Sequence, residues 1–136
     1  MTPEFLMAQG APTPVAPFSH AVRVGPWLFV TGQMPTWPDD DARALPEGVA
    51  AQTLRVVQNL EIVLASCAMT LTDVVQARIY LTEFERDYAD MNTVWRGCFA
   101  EGRLPARTCI GVTGLARQAL VEIDLLAYSP SGPSSS

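Results

Sequence analysis

Charge is scarce in this sequence. Asp, Glu, Lys and Arg make up only 17% of its 136 residues, whereas 49% are hydrophobic. The charges present sum to −5, which excludes the basic footprint that nucleic acid or an anionic membrane requires. A small domain with so much apolar surface points to burial between subunits as well as inside the chain. Histidine occurs once, at position 20, and cysteine three times, as Cys67, Cys98 and Cys109. An odd number of cysteines without close spacing fits neither a disulfide framework nor a zinc site. They read as reduced thiols, Cys67 and Cys98 being helix core residues. No apolar run reaches membrane length, and the first residues lack the basic start and apolar core of a signal peptide. The expected location is the cytoplasm.

What is present is a single domain by size. Met1 to Met7 reads as an appended leader ahead of a candidate start at Met7. The Pro-rich run from Ala11 to Pro17 cannot form a helix and suits no central strand. Residues 1–15 are therefore expected to be a disordered or extended leader. A hairpin follows, with strands His20 to Val24 and Trp27 to Thr31 around Gly25-Pro26. Thr36 to Gly48 carries turn chemistry throughout, and its Asp39-Asp40-Asp41 run reads as solvated loop, with nothing nearby to complete a metal shell.

From Val49 to Ala68 the period becomes helical, with Ala50, Leu54, Val57, Leu60, Leu64 and Cys67 as the apolar stripe. A strand follows Thr72-Asp73, in which Val75, Ala77, Ile79 and Leu81 alternate with Val74, Gln76, Arg78 and Tyr80. Thr82 to Asp87 reads as a polar connection. A second helix from Tyr88 to Ala100 buries Tyr88, Met91, Trp95, Cys98 and Phe99. Two further strands, one entered through Leu104-Pro105 and running on through Arg107, Cys109 and Val112, the other from Leu120 to Ala127, close residues 16–128, and the Ser/Pro/Gly-rich 129–136 is expected to be a disordered tail. The order β-β-α-β-α-β-β gives an α+β, two-layer sandwich with both helices on one face of a mixed sheet.

The last two strands concentrate the ionisable chemistry. Alternation puts Arg107, Cys109 and Gly111 on one side and Ile110 and Val112 on the other. It likewise separates Glu122 and Asp124 from Val121, Ile123, Leu125 and Ala127. Taken together, these sets are expected to bring a guanidinium, a thiol and a carboxylate to the sheet face that no helix covers. A structural ion pair of Arg107 with Glu122 or Asp124 is the competing reading. Trp27 and Phe29 read as core or interface, and His20 as a hydrogen-bonding or cleft-rim residue. A nucleophilic Cys109 would have to pair with His20, and no third orienting group is evident.

Gly102 to Leu115, with Leu120-Val121-Glu122-Ile123-Asp124, resembles the RidA (YjgF) family. So do, in the same order, Phe18-Ser19-His20-Ala21, Val30-Thr31-Gly32-Gln33, Gln52-Thr53 with Asn59-Leu60, Asp73-Val74-Val75 and Met91-Asn92. The resemblance spans Ala16 to Tyr128. It implies a chorismate-mutase-like fold and a homotrimer with inward-facing sheets and ligand clefts between subunits. It further implies hydrolysis of reactive enamines and imines, of the 2-aminoacrylate/2-iminopropanoate type, to a 2-keto acid and ammonia, without metal or cofactor. By position, Arg107 matches the arginine that grips the substrate carboxylate and Glu122 the acidic residue of the hydrolytic water. Cys109, Thr31 and Asn92 match pocket positions, and Phe18 stands where the deaminase branch often has tyrosine. The alternatives are a non-catalytic trimer that binds a 2-keto acid, and a related deaminase acting on an aminomuconate-type enamine.

Overall fold

The structure is a computed structural model and describes residues 1–130. Its elements are β1 (Glu4–Leu6), β2 (Ala21–Val24), β3 (Trp27–Gln33), α1 (Val49–Ser66), β4 (Val74–Leu81), α2 (Phe84–Gly97), β5 (Ala106–Gly111) and β6 (Val121–Tyr128). The strands form one mixed sheet in the order β1-β2-β3-β6-β4-β5. Only β4 and β5 are parallel; every other neighbouring pair is antiparallel. Both helices lie on one face, α1 over β3 and β6, and α2 against α1 and β4. This is the expected two-layer α+β architecture.

The core is the layer between. Leu28, Val30, Ile79, Leu81, Val121, Ile123 and Leu125 point from the sheet into it, and Val56, Leu60, Val63, Leu64, Met91 and Trp95 meet them from the helices. Each large side chain so buried contributes about 1.5–3 kcal/mol.

Four local expectations are corrected. First, the leader supplies a sixth strand: Glu4–Leu6 pairs with Ala21 to Arg23, and Arg23 donates to Glu4 at 2.6 Å. Second, the buried stripe of α1 is rotated. Leu54 is 48% exposed, whereas Gln52, Thr53 and Asn59 are inside. Gln52 is buried because its amide donates to the Pro46 carbonyl and its oxygen accepts from the Leu120 N–H. Asn59 likewise donates to the carbonyls of Met34 and Thr36, so two polar residues fasten loops to the helix and can be buried.

Third, β4 slips register between Val74 and Gln76, which turns Val74 inward and leaves Val75 out. Such a bulge lies outside what simple alternation describes. Fourth, α2 starts at Phe84, not Tyr88. Glu85 and Asp87 lie in its first turn, where carboxylates suit the helix dipole.

The Pro-rich stretch is tied down by the single histidine. His20 Nδ1 accepts from the Ala8 N–H at 2.8 Å, and Nε2 lies 2.8 Å from the Pro12 carbonyl. A carbonyl only accepts, so Nε2 carries the proton and the ring is the neutral tautomer, fully used. His20 is thus the hydrogen-bonding residue expected, and both of its nitrogens are committed to backbone. Of the expected tail, Ser129 donates its N–H to the Pro26 carbonyl at 3.0 Å, and residues 131–136 lie outside the described residues. Replacing His20→Ala strands a buried donor and a buried acceptor, and should lower unfolding free energy by about 2–4 kcal/mol in a denaturant titration.

Candidate functional site

Arg107 and Cys109 do not share a face with Glu122. Arg107 pairs with Ala77 and Cys109 with Ile79 across the parallel β4–β5 ladder. Ala77 and Ile79 are buried under the helices, so Arg107 and Cys109 point to the helix side. Thr108 and Ile110 pair with Arg78 and Tyr80 and take the open face. Glu122 pairs with Tyr80 and Asp124 with Arg78, and both carboxylates are therefore on that open face. Alternation sorts residues into two sets but does not say which set faces the helices. The apolar Ile110 suggests the wrong answer because β5 is an edge strand whose helix side is only partly covered.

The candidate residues thus fall into two groups on opposite faces of the sheet. On the helix side, Arg107 Nη1 donates to Asn92 Oδ1 at 2.7 Å, and Nη2 donates to the Tyr88 hydroxyl at 3.2 Å. The guanidinium borders a shallow cavity of about 220 Å³, lined by Asn92, Trp95, Arg96, Leu104, Pro105 and Arg107. The loop before β5 is fastened where Arg103 donates to the Thr72 carbonyl at 2.7 Å. No carboxylate lies within ion-pair distance of Arg107 among the described residues. The competing reading of Arg107 as a structural ion pair with Glu122 or Asp124 is set aside on that ground.

Cys109 sits beside Arg107, half-buried against the core. Burial pushes its thiol pKa up, and the Arg107 charge offsets that only in part. With His20 committed to Ala8 and Pro12, no base activates it.

The open-face half holds Phe18, Thr31 and Glu122. Phe18, Ser19, Thr31, Gly32, Arg78 and Asp124 are among the residues that line a concavity of about 710 Å³. The Glu122 carboxylate lies directly over Gly32, where a Cβ would collide with it; glycine at that point of β3 is what leaves the acid its place. Glu122 forms no hydrogen bond and no ion pair among the described residues. Burial, and then the negative charge of Asp124, holds its pKa above the ordinary glutamate value. Asp124 itself is engaged, accepting from Arg78 Nε at 2.9 Å and from the Tyr80 hydroxyl at 3.0 Å. Around this half the open face carries Trp27, Phe29, Ile110 and Tyr128, all exposed. Trp27 and Phe29 are therefore not core of this chain. Among the described residues no group of three or more His, Cys, Asp and Glu could hold a metal ion.

Two residues of the site escape a reading by sequence. Tyr88 precedes Asn92 by one helical turn and so shares its face, but an apolar-stripe reading assigns it to the core. Gly32 falls in the Val30-Thr31-Gly32-Gln33 segment, but the room it leaves for Glu122 shows only in the structure.

Residues 8–129 match the model of the Endoribonuclease L-PSP family. A RutC family protein of Pyrococcus abyssi is 34% identical over 128 residues, which cover 94% of this chain and 98% of that protein. Protein DfrA of Myxococcus xanthus is 38% identical over 122 residues, covering 88% and 90%. The crystal structure of RidA from the Antarctic bacterium Psychrobacter sp. superposes with a TM-score of 0.85 at 30% identity, over 93% of this chain and 99% of that one. The class is thus the L-PSP/RutC/RidA superfamily. This chain belongs to the Endoribonuclease L-PSP family and is similar to its RutC and RidA branches. Among the described residues no helix is long and apolar enough to cross a membrane.

The state of Cys109 is directly measurable. A half-buried thiol whose pKa is raised should alkylate with iodoacetamide more slowly than a free cysteine at neutral pH, as read by peptide mass spectrometry. Faster labelling would mean a thiolate and would reopen the nucleophile reading.

Proposed function

We propose that this protein is a cofactor-free imine and enamine deaminase whose site forms where the Arg107 half of one subunit meets the Glu122 half of another. The single observation that carries this is complementary: among the described residues of one chain Arg107 lacks a carboxylate and Glu122 lacks a cation, and the sheet stands between them. Copies packed through the exposed aromatic and apolar face around Trp27, Phe29 and Ile110 would bring the halves together and cover that face. A homotrimer with clefts between subunits is the assembly that suits this.

The chemistry asks little of the protein. Arg107, always charged and planar, takes the carboxylate of a 2-imino acid in a bidentate grip. That grip fixes the neighbouring C=N carbon relative to a water. Glu122 orients the water and accepts its proton as the oxygen bonds to the carbon. That proton passes to nitrogen, giving a carbinolamine; Glu122 then relays the carbinolamine hydroxyl proton to the same nitrogen, so that C=O forms as the C–N bond breaks and a 2-keto acid and ammonia leave. Thr31, Phe18 and Cys109 shape the pocket, and Asn92 aims the guanidinium. The location that suits a scavenger of such intermediates is the cytoplasm. Phe18, with no hydroxyl to offer, favours one rival, a trimer that binds 2-keto acids without turnover.

Imines made in situ by an amino-acid oxidase should yield keto acid and ammonia faster with the protein than without it. Arg107→Ala should return the rate to that of buffer with an unchanged thermal midpoint. Equal rates for wild type and buffer would sink the deaminase reading, and binding of a keto acid without turnover would select the rival.

Glu122 must be ionised to accept a proton, and its pKa is raised. The rate should therefore fall, as pH is lowered, at a value above the roughly 4.3 of an ordinary glutamate. Glu122→Gln should be slow and without that limb.

A further inference from the structure

One side chain outside the family-matched positions touches the arginine half-site directly. Tyr88 and Asn92 stand on the same face of α2, and both accept hydrogen bonds from Arg107. A phenol that accepts from a guanidinium keeps its own O–H to give. No acceptor for that proton is present among the described residues. Asn92 likewise accepts through its Oδ1 and keeps its amide N–H groups, so Tyr88 and Asn92 flank the guanidinium as two neutral donors.

The ring is held rigidly enough to aim that proton. Phe84 stacks on Tyr88 with centroids 4.8 Å apart and planes at 28°. Phe84 in turn rests on the end of β5 at Gly111, where an added Cβ would stand only 3.1 Å from the Phe84 Cβ. The Arg107 guanidinium carbon lies 5.7 Å from the Tyr88 ring centroid. Tyr88 keeps 37% of its surface exposed, and its hydroxyl lies 3.2 Å from the Arg107 Nη2 that a carboxylate would meet.

We propose that Tyr88 is a second carboxylate-binding residue: its hydroxyl accepts from Arg107 and donates to the carboxylate that Arg107 binds. The ligand class is the small 2-imino and 2-keto monocarboxylates. Tyr88 thereby places a phenol hydroxyl on the arginine half, whereas Phe18 brings none to the other. The inference rests on Arg107 being the carboxylate anchor, and the test separates the two.

The full-length protein is titrated calorimetrically with 2-oxobutanoate as wild type, Tyr88→Phe and Arg107→Ala. Loss of one hydrogen bond to a charged group should weaken binding by Tyr88→Phe about tenfold, with an unchanged thermal midpoint. The ligand should also perturb tyrosine absorbance in the wild type and fail to do so in Tyr88→Phe. Equal affinities for wild type and Tyr88→Phe, with Arg107→Ala silent, overturn the role of Tyr88 and leave the anchor standing. A wild-type tyrosine spectrum indifferent to the ligand also overturns it, since the hydroxyl would then act only by steering Arg107. No binding by the wild type overturns the anchor itself.

Discussion

The structure turns on a constraint of sheet geometry: neighbouring residues of a strand face opposite ways, and paired residues of adjacent strands face the same way. Because β4 runs between β5 and β6, it transmits this parity from one to the other. Its buried residues Ala77 and Ile79 carry Arg107 and Cys109 to the helix side. Its outward residues Arg78 and Tyr80 carry Asp124 and Glu122 to the open side. No rotamer change lets Arg107 reach Glu122 through a sheet packed at core density. The cation and the acid are kept apart by the fold, and each stays chemically available.

The surroundings maintain that availability. A partly buried carboxylate ordinarily recruits a cation, and Arg78 stands on the same open face. Asp124 engages it together with Tyr80, so Glu122 is left to its desolvated place over Gly32. On the other side, Arg107 is oriented by neutral groups, an amide oxygen and a phenol. Neutral acceptors aim a guanidinium without cancelling its charge, which a carboxylate would do. The histidine clamp on Ala8 and Pro12 works at a greater remove. It fixes the leader from which Phe18 and β1 extend to the open-face concavity.

Much of this was legible in the sequence. The two helices, the hairpin and the last strands follow from period and turn chemistry, and the family from ordered motifs. Arg107 and Glu122 stand out as charges inside apolar alternation. What alternation does not carry is the choice of face. Ile110 looked like a core residue, yet it belongs to an exposed surface that suits contact with another copy. Leu54 misled for a different reason: Gln52 and Asn59 displace apolar residues inward because loop carbonyls need donors there. Tyr88 was hidden by its aromatic ring, since a stripe of tyrosine, methionine and tryptophan reads as packing until the hydroxyl's partner is known. Glu4–Leu6 was set aside as leader because three residues carry no period, and its strand exists only through pairing with β2.

On the proposed reading, the same parity that separates the half-sites ties chemistry to assembly. An isolated chain could hold a carboxylate with Arg107 but would have no base near the imine carbon; its Glu122 would lie on the far side of the sheet. Bringing a second copy against the open face supplies the missing half and desolvates it in one event. Desolvation strengthens the attraction between Arg107 and an anion, and it also raises the proton affinity of Glu122, which makes the carboxylate a better base. Burial in a subunit boundary therefore pushes both groups toward their roles. A site built within one sheet face, as the alternation first suggests, would instead have let the two neutralise each other.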